Sequence, residues 1–151
     1  MNALDHLPIL PVVLPLLAGI ALLALRRAPL AVQRGAAVAA TLALLPLALA
    51  LVQATADGAH LVYKLGNWDA PYGIVLVADR LAAWMLLTTA LLALFALLYA
   101  LTGIDREGRH FHVLFQLQLF GLNGAFLTGD LFNLFVFFEI LLLASYGLLL
   151  H

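Results

Sequence analysis

The sequence contains no cysteine and very little charge, and each shortage narrows what the chain can be. Without cysteine there is no disulfide framework and no thiolate metal site, and the redox compartment stays undetermined. Charged residues make up only 10% of the 151, against roughly 25% in an ordinary soluble domain, while 66% are hydrophobic. The mean hydropathy is +1.11. A water-soluble domain of this size has too small an interior to hide that much apolar surface, so the bilayer is the expected solvent. A net charge of −1 argues against a nucleic-acid partner. The first Lys or Arg is Arg26, so the basic start of a cleavable secretory signal is missing.

What is present is apolar sequence in helix-sized blocks. A bilayer core takes about 20 mostly apolar residues per helix. Five segments reach or nearly reach that length, at 7–25, 35–54, 81–102, 111–128 and 131–150. The expected fold class is an all-α membrane protein, one transmembrane domain over residues 1–151 with five transmembrane helices. Pro8, Pro11 and Pro15 punctuate the first segment, which is tolerated in membranes where neighbours satisfy the freed carbonyls. Only Gly129 and Asp130 separate the fourth and fifth segments. That predicts a tight turn between antiparallel helices, with Asp130 as N-cap of the fifth.

The connection at 55–79 carries two β-prone runs, 61–65 and 73–77, around Gly66, Asn67, Asp69 and Pro71. It predicts a short extracytoplasmic β-hairpin on the membrane surface, with Trp68 and Tyr72 in the interfacial belt, a poorly ordered loop being the alternative. The basic residues give the orientation. Arg26, Arg27 and Arg34 fall between the first two segments, and Arg106 and Arg109 between the third and fourth. Lys64 and Arg80 alone fall on the other side. Short Lys/Arg-rich loops stay cytoplasmic, so the N-terminus is expected outside and the fifth helix ends inside. The expected location is the cell inner membrane, as a multi-pass protein.

Glu139 is the only ionisable residue between Asp130 and Tyr146. It lies roughly 12 Å from the start of its helix, near the middle of a core ~30 Å thick. Facing lipid, a charged carboxylate there would cost at least ~2.5–3.5 kcal/mol, so Glu139 is expected to face protein or an internal water path. Phe132, Phe135, Leu143 and Tyr146 share its helical face, and Tyr146 is a candidate hydrogen-bond neighbour. On the fourth helix Gln116 and Asn123 share a face and could form a polar strip beside Glu139. Gly121 and Ala125 would permit close helix approach. Glu139 could also serve only to fasten two helices by a hydrogen bond. The histidines (His6, His60, His110, His112, His151) fall in loops or at ends. His110 and His112 are a weak metal pattern better read as solvated. Asp57, Asp69, Asp79, Asp105 and Glu107 read as solvated loop charges. No Lys or Arg falls inside any of the five segments, so a cation for Glu139 has to come from outside them.

Two stretches carry a family resemblance: TGDLFNLFVFFEILLLASYGLLL (128–150) and KLGNWDAPYGIVLVADRLAAWMLL (64–87). The first resembles the fifth transmembrane helix of the antiporter-like proteins, the proton-pumping subunits of respiratory complex I and the large subunits of Mrp-type antiporters. The second is most similar to the D subunit of the Mrp-type multisubunit monovalent cation/proton antiporter. The resemblance covers nearly the whole chain and is weakest over the first two helices. It implies that the chain corresponds to the N-terminal third of a protein with about fourteen helices and two inverted five-helix units. It implies that Glu139 takes part in proton translocation, paired with a lysine two helices further on. It also implies, as partners, other antiporter subunits, protons and a monovalent cation in a lipid bilayer, and an ion transporter component rather than an enzyme. No redox cofactor motif is visible: there is no cysteine cluster and no glycine-rich dinucleotide loop. The related alternative is a proton-pumping subunit of a complex I-like oxidoreductase or membrane-bound hydrogenase; a structural membrane scaffold is the other.

Overall fold

Proline and aspartate set where the helices start. In the computed structural model, which describes residues 6–68, 73–108 and 110–150, α1 spans Leu10–Ala24 with Pro11 in its first turn. There its missing N–H costs nothing. Pro29 stands at the N-cap of α2 (Leu30–Ala54). Asp79 caps α3 (Arg80–Ala100), its Oδ1 accepting from the Ala82 amide at 2.7 Å. Asp130 caps α5 (Leu131–Leu149) in the same way, accepting from the Asn133 amide at 2.7 Å and from Asn133 Nδ2 at 2.6 Å. The fourth helix, α4, runs Phe111–Leu127. The Asp130 cap is as expected, whereas Asp79 is a cap and not merely a solvated charge. Asp69, Pro71, Tyr72, Arg109 and His151 lie outside the described residues.

Two boundaries differ from the sequence reading in a way that matters. Pro29 sets the start of α2 five residues early, so Arg34 is a helical residue and not part of a loop. At the other end of α1, regular helix begins only at Leu10. Three helices, α2, α3 and α5, are long and apolar enough to cross a membrane, while α1 and α4 have 15 and 17 residues. At about 1.5 Å per residue these two extend roughly 22 and 25 Å, short of a ~30 Å core unless their flanking turns contribute.

The expected hairpin is present. β1 (Leu61–Lys64) pairs antiparallel with β2 (Val75–Ala78), with Leu61 opposite Ala78 and Lys64 opposite Val75. The turn after β1 uses Gly66 at φ 65°, where a side chain would be strained. β2 also reaches the α4–α5 turn: Leu76 bridges Thr128, and the Gly129 amide donates to Val75 O at 2.8 Å. The hairpin and the α4–α5 turn therefore share one end of the bundle.

Packing is centred on α4, which lies against α1 on one side and α5 on the other, while α2 pairs with α3 and α1. Glycine lets α5 approach. A Cβ on Gly121 would fall 2.9 Å from the Leu141 backbone nitrogen, and one on Gly124 would overlap the Phe137 ring. Gly121 is one of the two residues expected to allow close approach, with Ala125; Gly124, which the sequence reading did not single out, is another. A core of Leu7, Val12, Leu51, Leu76, Ala83, Leu127 and Phe137 seals the hairpin end. Leu22, Ala37 and Leu97 pack together at the opposite end.

Candidate functional site

Polar groups inside this apolar bundle are few, and three of them lie on one face of α4. His112, Gln116 and Asn123 project from it at helical spacing, each 3% exposed or less. Asn123 Nδ2 donates to Pro11 O at 2.8 Å. That carbonyl would ordinarily be bonded by the amide four residues on, but residue 15 is proline and has none. A side chain of α4 thus repairs the break in α1. Gln116 Nε2 donates to Ala37 O at 3.3 Å and to Thr41 Oγ1 at 3.1 Å, which ties α4 to α2. A Cβ on Gly19 would lie 3.7 Å from Gln116 Cβ, so α1 passes close beside it.

At the start of α4 the strip ends in an ion cluster. Asp105, in the short 3-10 turn Ile104–Arg106, is 2% exposed. Arg34 holds it with two hydrogen bonds, Nε to Oδ2 and Nη2 to Oδ1, each 2.6 Å. His112 Nε2 lies 3.2 Å from the same Oδ2. The bidentate guanidinium is the main reason that the Asp105 carboxyl sits below its ordinary value; burial opposes it and loses. The pair also joins the α1–α2 side to the α3–α4 connection, at the end opposite the hairpin.

Here the structure corrects the sequence reading. Asp105 is buried and paired, and His112 is a core residue of α4. Asp57, His60 and Glu107 are exposed, as expected. His6 lies against the hairpin, Nδ1 3.4 Å from Tyr63 Oη. The missed cluster had one signal in the sequence. Extending the Gln116–Asn123 face one turn back reaches His112. The Arg34–Asp105 pair that completes the cluster spans 71 residues and leaves no local trace.

Glu139 is in a different situation. It is exposed, with no hydrogen bond or ion pair to it among the described residues. α5 packs on α4 through Asn133, Phe137 and Ala144, and Glu139 lies about 200° around the helix from Phe137. Phe132, Phe135, Leu143 and Tyr146 share its open side and are 59–72% exposed. Tyr146 makes no hydrogen bond to it. The strip of Gln116 and Asn123 faces α1 and α2, so it does not lie beside Glu139. The α4 polar group turned toward α5 is instead Gln118, whose Oε1 accepts from Ser145 Oγ at 2.9 Å. Within this chain Glu139 is thus not buried, because α1–α4 lie on the other side of its helix. Among the described residues no group of His, Asp or Glu could hold a metal ion.

A comparison with family models finds no match. The chain is 52% identical over 98% of its length to the D subunit of a probable K(+)/H(+) antiporter of Rhizobium meliloti, of which it covers 28%. It is 39% identical over 97% of its length to the D subunit of the Na(+)/H(+) antiporter of Alkalihalophilus pseudofirmus, covering 30%. It is also 43% identical to the N subunit of the NADH-quinone oxidoreductase of Desulforudis audaxviator, covering 30% of that protein. Among solved structures, a chain of the Mrp complex from Dietzia matches with a TM-score of 0.85 and 34% identity, over 97% of this chain and 27% of that one. The chain therefore spans less than a third of the length of these relatives. Sequence and fold together place it in the family of cation/proton antiporter D subunits, matching an N-terminal part of those proteins.

Proposed function

We propose that the chain forms the first five membrane-crossing helices of the D subunit in a multisubunit monovalent cation/proton antiporter. The observation that carries the reading is the 52% identity to the D subunit of a K(+)/H(+) antiporter along almost the whole chain. In this reading the arginine-rich end, with Arg26, Arg27 and the Arg34–Asp105 pair, faces the cytoplasm, and the hairpin faces outside. α1 and α4 complete their crossings with their flanking turns. The other antiporter subunits and the lipid of the cell inner membrane are its surroundings.

Glu139 has its role at the open face of α5. A carboxylate in mid-membrane needs a partner, and none of α1–α4 offers one to this face. A cationic side chain from a helix beyond these five would favour the charged form of both groups while they are close. Separation would withdraw that support and release a proton from the cation. The uncovered aromatic face around Glu139 is what such a helix would pack against.

The test is Glu139→Gln in the complete complex, with assembly and cation/proton exchange both measured. Normal assembly with exchange lost is the expected result; intact exchange would remove Glu139 from the proton path. A second reading, a proton-pumping component of an NADH-quinone oxidoreductase-like complex, is favoured by the 43% identity to the oxidoreductase N subunit. Flavin or iron–sulfur proteins copurifying with the native protein would decide for it.

A further inference from the structure

The cluster at the start of α4 fixes more than helix packing. Asp105 takes two hydrogen bonds from Arg34, so its carboxylate is ionised and can only accept. The ring nitrogen facing it, His112 Nε2, must therefore carry hydrogen and donate. This assigns the tautomer of the neutral ring from its partner and leaves Nδ1 as a bare lone pair. Nδ1 is buried and has no hydrogen-bond partner among the described residues. One turn along the same face, Gln116 spends its amide hydrogens on Ala37 O and Thr41 Oγ1, and its Oε1 is buried without a partner too. Buried acceptors rarely go unsatisfied, and two on one face call for a donor between the helices. Water meets that need, since it can donate to both.

The surroundings of the ring are otherwise apolar. The Phe111 ring stands edge-on to it at 5.4 Å, and Leu22 of α1, Ala37 of α2 and Leu97 of α3 form the apolar cluster at this end of the bundle. The charged or titratable groups that face it are Asp105 from the α3–α4 connection and Arg34 from α2, with His110 two residues before it on its own element. Arg34 keeps 23% of its side chain exposed, so the cluster touches the surface at one rim.

We propose that His112 is a second protonation site of this chain, loaded on Nδ1 through water from the arginine-rich end of the bundle. Its role in transport rests on the antiporter reading above. In the loading step the Nδ1 lone pair takes a proton from water-borne hydronium, and the ring becomes imidazolium. The Nε2 hydrogen stays on the ring, donated to Asp105, so the cluster goes from neutral to a single positive charge. In release Nδ1 returns the proton to water. Arg34 and Asp105 are positioning residues: they hold the ring so that Nδ1, and not Nε2, is the nitrogen that exchanges protons. Gln116 Oε1 accepts from the water that carries the proton.

The experiment uses the full-length protein assembled with its partner subunits in bilayers, with histidine rings labelled with nitrogen-15. Subtracting the spectrum of the His112→Gln variant isolates this ring, and glutamine keeps an N–H for Asp105. As pH falls from about 8 to 5, the bare nitrogen signal is expected to convert to a protonated one while the Nε2 signal stays protonated. A ring that does not titrate in that range overturns the proposal, and so does a bare Nε2. If His112→Gln fails to assemble, Asp105→Asn supplies the comparison and is expected to move the titration midpoint; an unmoved midpoint counts against the proposal. The cation/proton exchange profile of His112→Gln is expected to be several-fold flatter with pH than that of the wild type, and an identical profile removes the link to transport. Because the spectrum does not depend on exchange, a titrating His112 in a complex without exchange leaves the site standing and defeats only the functional reading.

Discussion

Asp105 and Glu139 are carboxylates of the same five-helix unit with opposite surroundings. Asp105 lies in a connection of a few residues, yet it is enclosed, with a guanidinium on both oxygens and an imidazole beside them. Glu139 lies in the middle of an apolar helix, yet its side of α5 is open. The difference is in where the partner comes from. A buried carboxylate is stable only with its cation and hydrogen bonds supplied. Arg34 supplies them to Asp105 from within the unit. No such residue faces Glu139 from α1–α4, and its face stays uncovered. A closed carboxylate fastens the unit, and an open one is available to something outside it.

Removing each carboxylate in turn tests that contrast, and Asp105→Ala is expected to have the largest effect on stability. It strands the buried His112 Nε2–H, a penalty of about 1–3 kcal/mol, and it releases Arg34 as well. Thermal unfolding of the full-length protein in detergent should show a clear drop for Asp105→Ala. Glu139→Gln should cost less, because its side chain takes no part in the α4–α5 contact and glutamine can still hydrogen-bond to a partner from beyond α5. Equal losses for the two variants would break the comparison.

Asn123→Leu comes next. The Pro11 carbonyl would lose the donor that replaces the missing amide of Pro15. A cost of about 1–3 kcal/mol is expected. Changing Pro15 to Ala in the same protein should recover much of it, since the helix then supplies its own donor. Unfolding midpoints of the single and double variants check this. No recovery would mean that Asn123 acts through packing alone.

The apolar blocks, the hairpin, the Asp130 cap and the close approach at Gly121 were all legible in the sequence, because each depends on residues near one another in the chain. The Pro15 break was legible as well, but not its remedy 112 residues away. Asp105 was misread for the same reason. An aspartate beside Arg106 and Glu107 in a short connection looks solvated, and only the fold brings Arg34 to it. Setting the start of α2 five residues late hid the pair further by leaving Arg34 in a loop. Glu139 was located correctly along its helix, but a single helix does not say which side its neighbours take. Local pattern gives depth and periodicity, whereas enclosure depends on the other helices.

Asp130→Ala is expected to cost about 0.5–2 kcal/mol, because the first turn of α5 loses its acceptor, and Asp130→Asn a few tenths or less. Burial pushes the Asp130 carboxyl up, but hydrogen bonds from Asn133 and from the Val75 and Phe132 backbone together outweigh it and the net position is below the ordinary value. Amide hydrogen exchange in the first turn of α5 measures the loss. This variant sharpens the comparison because Asp130 lies at the start of the helix that carries Glu139. Fraying there should reach the Glu139 face without touching the Asp105 cluster at the other end.

The smallest effect expected is one of pH, and its sign follows from Asp105. The folded carboxyl lies below its ordinary value of 3.8, chiefly through Arg34. A group lowered on folding contributes stability that is complete above its unfolded value and is lost as pH falls through the folded one. The Arg34–Asp105 tie should therefore hold unchanged from neutral pH down to about 4, and weaken only below that. Asp105→Asn has no such titration, so the share of the gap in unfolding midpoint that Asp105 itself contributes should stay constant above about pH 4 and narrow in stronger acid. Any change of that gap between about pH 5 and 8 cannot come from Asp105, and within the cluster it would have to come from His112. Measured against Glu139→Gln over the same range, the profile separates the closed site from the open one. Only the variant at Asp105 should show the gap closing in acid.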